Sequence, residues 1–189
     1  MKIEKREYKV YSFDELSKNA KQFAINSASE INLSIDWYND VDIEEIAKKY
    51  GIEVDVHQIS FDLDRENYVA FETYNHSQID DYHSGICISD YKKFIKKAGL
   101  KISKELKENE FYIDHTHHAG GIIYNVIRGD DNLSERETVA LQDCLDSFTL
   151  DVKKQLKETY DTLTGEEAII ESIKANEIEF LEDGRQFTL

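Results

Sequence analysis

The residues best suited to chemistry cluster at Asp114-His115-Thr116-His117-His118. On a strand, alternate side chains point the same way, so His115 and His117 could share a metal ion. Alternation pairs Asp62 with Asp64 in the same manner, and His83 or Cys87 could complete a ligand set. Such a site would activate water for hydrolysis. The spacing fits no established metal motif, however, and histidines beside Gly120-Gly121 fit an exposed stretch at a turn equally well. Nucleophilic catalysis has less behind it. Cys87 lies within Ile86-Cys87-Ile88, which reads as buried strand, and Cys144 falls in a long helical pattern, each without a neighbouring base. The chain contains no Gly-x-Ser-x-Gly elbow, P-loop or dinucleotide fingerprint. The reading is of a protein that is not an enzyme and that uses no cofactor and no metal.

The elements that must position these residues follow from periodicity. Residues 3–11 alternate and predict a first strand. Ser12 and Glu15 can form a capping box, and apolar steps from Leu16 to Ala28 predict a helix over 14–30. A second helix is predicted over about 35–50, stopped by Gly51. Strands follow near 52–59 and 68–71, joined through Asp64–Asn67, then a short helix from Ser89 to Lys97. Two more strands are predicted at 110–117 and 121–127. Ser134 and Glu137 form a second box, and Leu141, Leu145, Phe148, Val152, Leu156, Tyr160 and Leu163 trace one long helix over 135–163. A third box at Thr164–Glu167 opens a short helix ending near Asn176, and a terminal hairpin closes around Glu182–Arg185. This order predicts an α+β fold, with an antiparallel sheet packed against helices, in a single domain over 1–189.

The charge balance speaks more strongly than any motif. Lys and Arg number 23 against 39 Asp and Glu, a net charge of −16. Such a surface repels phosphate backbones and anionic membranes, which argues against direct binding of nucleic acid or membrane. It attracts basic grooves on other proteins. One Trp, eleven Tyr and nine Phe indicate a packed core rather than a disordered chain. Trp37, Tyr38, Tyr74 and Tyr82 are candidate interface anchors. Two cysteines make no disulfide framework, and no secretory or membrane-spanning run is visible, so the expected location is the cytoplasm. From Gly129 onward 16 acids face 6 bases, which predicts a continuous acidic face on the long helix.

Several segments resemble a group of small phage and prophage proteins. Tyr11-Ser12-Phe13-Asp14-Glu15-Leu16-Ser17, followed by Ala20-Lys21 and Ala24, is similar to their opening. Glu158–Thr164, Glu167–Glu171, Asn176–Phe180 and Glu182–Arg185 are similar to their close. Members often carry a Gly-Asp-Gly-Ala-Ser-Phe stretch in the middle; here Phe61–Phe71 stands in that place without those glycines. The group is often labelled antitoxin-like. The resemblance implies an origin in a phage or mobile element, and small acidic proteins of that origin disarm host defence nucleases, anti-CRISPR proteins among them.

Together these features lead to a phage-encoded inhibitor, acting in the host cytoplasm, that binds a nucleic-acid-binding host protein. A Cas effector is the expected partner, blocked by acidic DNA mimicry in a Lys/Arg-lined channel. The carboxylates expected to bind it are Asp143, Asp146, Asp151, Glu158, Glu166 and Glu167, with Asp36, Asp40 and Asp42 as a second patch. The alternatives are an antitoxin-like protein that neutralises a cognate toxin, a metal-dependent hydrolase on His115 and His117, and a virion or replication accessory protein.

Overall fold

The computed structural model describes residues 7–63, 68–71, 86–101, 111–118, 121–128 and 134–188, the two segments 111–118 and 121–128 as backbone. The fold is α+β, as the sequence predicts. Its elements are α1 (Lys18–Ser27), α2 (Ile43–Tyr50), β1 (Ile52–Val54), β2 (Ile59–Asp62), β3 (Tyr68–Phe71), β4 (Ile86–Ile88), α3 (Tyr91–Lys97), β5 (Phe111–His118), β6 (Gly121–Arg128), α4 (Glu135–Leu163) and α5 (Glu166–Ala175). Where composition predicts one domain, the chain gathers into two compact units: Met1–Asp40 with Glu158–Leu189, and Val41–Lys157.

In the second unit, Asp42 caps α2 by accepting a 2.8 Å bond from the Glu45 amide. Gly51 ends that helix at φ 76°, and a Cβ there would stand 2.5 Å from the Asp90 carbonyl. Both the left-handed turn and the close approach require glycine. All described strands pair antiparallel: β1 with β4, β2 with β3, and β5 with β6. The register sets Ile52 opposite Ile88 and Val54 opposite Ile86. The β5–β6 hairpin runs from Phe111 opposite Arg128 to His118 opposite Gly121. The predicted strand 52–59 is broken by a 3-10 turn at Val56–Gln58, because Asp55 turns its side chain onto the His57 amide.

Helix α4 occupies the predicted 135–163, opened by the Ser134–Glu137 box. Leu141, Leu145, Phe148, Val152 and Leu156 are fully buried along it, the 3- and 4-residue steps of one helical face. Phe148 is the hub. Phe71 stacks on it with centroids 5.8 Å apart, and Tyr50 meets it edge-on at 5.7 Å.

The first unit packs Phe13, Leu16, Ala20, Ala24 and Ile25 against Ile169, Ile173 and Phe180. Of its predicted first strand, residues 3–6 lie outside the described residues, and the described part forms one bridge, Tyr11 to Phe180; Phe180 bridges in turn to Gln186 at the terminal hairpin. The predicted helix over 14–30 separates into a 3-10 turn at Phe13–Glu15 and α1, because Ser12 and Ser17 each cap their own start. The predicted 35–50 helix divides likewise at Asp42, with a 3-10 turn at Trp37–Asp40 ahead of it. The Thr164–Glu167 box does not form. Gly165 is the cap of α5, and the Thr164 hydroxyl donates back to the Tyr160 carbonyl at 2.8 Å. Asn32 ties the loop after α1 down: its amide donates to the Leu163 carbonyl at 2.9 Å, and it accepts from the Ser172 hydroxyl.

Candidate functional site: an acidic groove on the first unit

The strongest concentration of unneutralised charge lies at the end of the chain. Glu158–Leu189 holds nine acids and two bases. Glu166, Glu167, Glu171, Glu177, Glu179 and Glu182 are all exposed. Among the described residues from Glu166 onward, the ion pairs are Lys174 with Asp14 at 2.7 Å and Arg185 with Asp183 at 2.8 Å. Four carboxylate residues gather around one groove of about 440 Å³, lined by Asp14, Glu15, Glu177 and Glu179 with Lys174 as its cation.

Local structure holds Asp14 and Glu15 ionised and in place. Glu15 accepts from the Ser12 amide and hydroxyl, both at 2.8 Å, and those bonds lower its pKa. The Asp14 carboxyl is likewise lowered by its hydrogen bond and charge contact with Lys174. Lys174 stands 5.9 Å from the centroid of the Phe13 ring, which fixes the cation beside the groove. Glu177 sits at φ 50°, the left-handed residue that ends α5. Its amide and that of Ile178 bond back to the Lys174 and Ile173 carbonyls, a helix stop that favours glycine. A glutamate there costs about 1–2 kcal/mol in backbone strain. In exchange it puts a carboxylate on the groove wall.

The nine expected partner-binding residues fall in both units. Asp36, Asp40, Glu158, Glu166 and Glu167 belong to the first, and Asp42, Asp143, Asp146 and Asp151 to the second. All nine are exposed. Three of them have structural work. Asp42 caps α2, Asp146 accepts from Gln142 at 2.8 Å, and Asp151 accepts from the Tyr50 hydroxyl at 2.5 Å. The last bond, after desolvation, pushes the Tyr50 hydroxyl pKa up.

The expected continuous acidic face on α4 is not present. The helix carries seven acids but also Arg136, Lys153, Lys154 and Lys157, and the lysines share the outward side with Asp143 and Asp146. Val139 and Leu150 stand exposed on that side as well, at 52% and 61%. Glu171, Glu177, Glu179, Glu182, Asp14 and Glu15 are not among the nine expected residues; the first four show in the sequence as a dense run of acids over 166–183, whereas Asp14 and Glu15 carry no such signal.

The remaining candidates are placed as follows. Trp37 and Tyr38 are half-buried in a ring cluster, Trp37 lying 6.5 Å from Tyr38 and 5.8 Å from Tyr160. His115 and His117 lie in β5 opposite Tyr124 and Ile122. Asp62 ends β2. Asp64, Tyr74, Tyr82, His83 and Gly120 lie outside the described residues. Cys87 is exposed rather than buried, because Ile86 and Ile88 take the inner face of β4. Partial burial, then the Glu53 carboxylate opposite, raises its thiol pKa, which weakens it as a nucleophile. Cys144 is buried and pushed up to about 11. No described helix is long and apolar enough to cross a membrane.

No protein-family model, no curated protein and no solved structure matches the chain.

Proposed function

We propose that the chain is a phage-encoded inhibitor of a host defence nuclease. It acts in the host cytoplasm by presenting carboxylates where a nucleic-acid effector would hold DNA phosphates. A Cas effector is the leading target, because its duplex channel is lined with Lys and Arg. One observation carries the reading: six exposed glutamates between Glu166 and Glu182, none with a cation within 4 Å among the described residues. A surface whose charge is not internally cancelled keeps its field for a partner. To the expected Glu166 and Glu167 the proposed surface adds Glu171, Glu177, Glu179 and Glu182, with Asp14 and Glu15 at the groove.

The test is DNA cleavage by purified RNA-guided nucleases of several types, with and without the chain. Inhibition should fade steeply between 50 and 300 mM salt, values on the order of those at which screening becomes strong. Reversing Glu166, Glu167 and Glu171 together to Lys should abolish it, whereas reversing Asp143 and Asp146 should weaken it less. Salt-independent inhibition, or none against any effector, would sink the mimicry reading.

A further inference from the structure

A second feature of the first unit is apolar and sits apart from the acidic groove in character. Ala24, Ser27 and Ala28 face Ile173, Ile178 and Phe180 across a cleft of about 240 Å³. Its origin is geometric. At Gly184, φ is 88° and a Cβ would lie 2.2 Å from the Ala20 carbonyl, so the terminal turn touches α1 there backbone to backbone. One and two helical turns further on, the short side chains of Ala24, Ser27 and Ala28 do not reach across. Ala24, Ile173 and Phe180 are almost wholly buried, and the partly exposed Ala28, Ile31 and Ile178 packed against them give the cleft its accessible apolar lining. Glu30, exposed, is the charged residue on its lining among those described. Nearby Arg185 is engaged by Asp183 at 2.8 Å and offers little to an anion.

We propose that this cleft is a binding site for small organic cations with an apolar body: an aryl or alkyl group seated on Ala28, Ile31 and Ile178, with a primary ammonium at the Glu30 lip. The volume is below that of a drug-sized site and suits a ring with a short chain. The charge argument selects among ligands of equal shape. The first unit carries a net −8 in 72 residues, so a carboxylate-bearing analogue meets repulsion and an ammonium does not. Binding here requires no protein partner and does not depend on inhibition of a nuclease.

The probe is 2-phenylethylammonium, titrated into the full chain and followed by methyl NMR, beside 2-phenylethanol and 3-phenylpropionate as neutral and anionic counterparts. Saturable shifts are expected at Ala28, Ile31 and Ile178, with a Kd on the order of 1 mM for a fragment of this size. Affinity should fall from ammonium to alcohol to carboxylate. Glu30→Gln should weaken the ammonium several-fold and leave the alcohol unchanged. Ala28→Trp should fill the cleft and abolish all three; if that variant does not fold, the exposed Ser27→Tyr tests the same closure from the rim. Equal affinity for the carboxylate, shifts that survive closure of the cleft, or no saturation at Ile31 and Ile178 would overturn the site.

Discussion

The two units carry the same net charge, −8 each, but the first spreads it over 72 residues and the second over 117. Their cores differ in the opposite sense. The second unit is built on aromatic mass: Phe71, Phe94 and Phe148 are fully buried, and Tyr50 packs on Phe148. The first is built on small and branched residues, with Ala20, Ala24, Ile169 and Ile173 between Phe13 and Phe180. Dense like charge opposes compaction, and the first unit adds polar and backbone ties to its core. The Tyr11–Phe180 bridge and the Gly184 contact on α1 join backbone to backbone, and the Asn32 side chain bonds to Leu163 and Ser172. The first unit is also the one that carries the six exposed glutamates from Glu166 to Glu182, so the proposed binding surface lies on the unit without the aromatic hub.

Two substitutions should break the contrast most sharply. Phe148→Ala removes the hub of the second unit and should cost about 3–5 kcal/mol, read as a large drop in denaturant midpoint. Amide exchange should then rise first in α2, α3 and β1, while α1 and α5 keep more of their protection. Gly184→Ala attacks the first unit through its backbone. A left-handed φ and a Cβ driven into the Ala20 carbonyl should together cost about 2–4 kcal/mol. Protection should now fall first in α1 and the terminal hairpin. If either variant lowers both regions equally, the two units unfold as one and the contrast has no energetic content.

Titration should sharpen the same contrast. The described carboxyls held below their ordinary range, Asp14, Glu15 and Asp183, are all in the first unit; the last is lowered by the Arg185 amide, then by its guanidinium. The groups pushed above theirs, Tyr50, Cys87 and Cys144, are all in the second. A depressed folded pKa gives stability that is present above the ordinary carboxylate value, about 4, and lost as pH falls through the lower folded value. A raised folded pKa on a neutral acid gives stability that is present below the ordinary value, about 10 for Tyr, and lost as pH climbs through the higher one. Acid should therefore loosen the first unit first and alkali the second. Residue-resolved NMR along a pH series reads this directly, and Tyr50→Phe should remove much of the alkaline response.

Much of the fold is legible in the sequence because its strongest signals are local. The stripe from Leu141 to Leu156 and the Ser134–Glu137 box specify α4 without reference to anything distant. Gly51 and Asp42 bracket α2 for the same reason. Errors arise where a polar side chain competes for the backbone, as Asp55 does at His57 and Thr164 at Tyr160. The acidic site is less legible. Counting charge over a 61-residue window credits α4 with carboxylates whose neighbours Lys153, Lys154 and Lys157 oppose them on the same side. Only the fold brings Asp14 and Glu15, near the start of the chain, to one groove with Glu177 and Glu179 near its end. The pairing of Tyr11 with Phe180 that does so is one bridge long and leaves no periodic trace.

Glu177 gives the smallest expected effect and the most discriminating one. Its left-handed φ of 50° costs about 1–2 kcal/mol, and the Glu177→Gly chain regains about 0.5–1 kcal/mol of disorder when unfolded. The variant should therefore gain about 0.5–1 kcal/mol in net stability, visible as a small rise in thermal midpoint. Glu177→Ala removes the same carboxylate but keeps the strained φ, so it should show no such gain. If the carboxylate serves the groove, the two variants should lose affinity for the inhibited nuclease equally while differing in stability. That outcome separates the charge from the backbone that carries it. Unchanged affinity in both would mean that the helix stop tolerates glutamate for reasons unconnected with binding, and the acidic surface would then have to act through the other five glutamates, Glu166, Glu167, Glu171, Glu179 and Glu182.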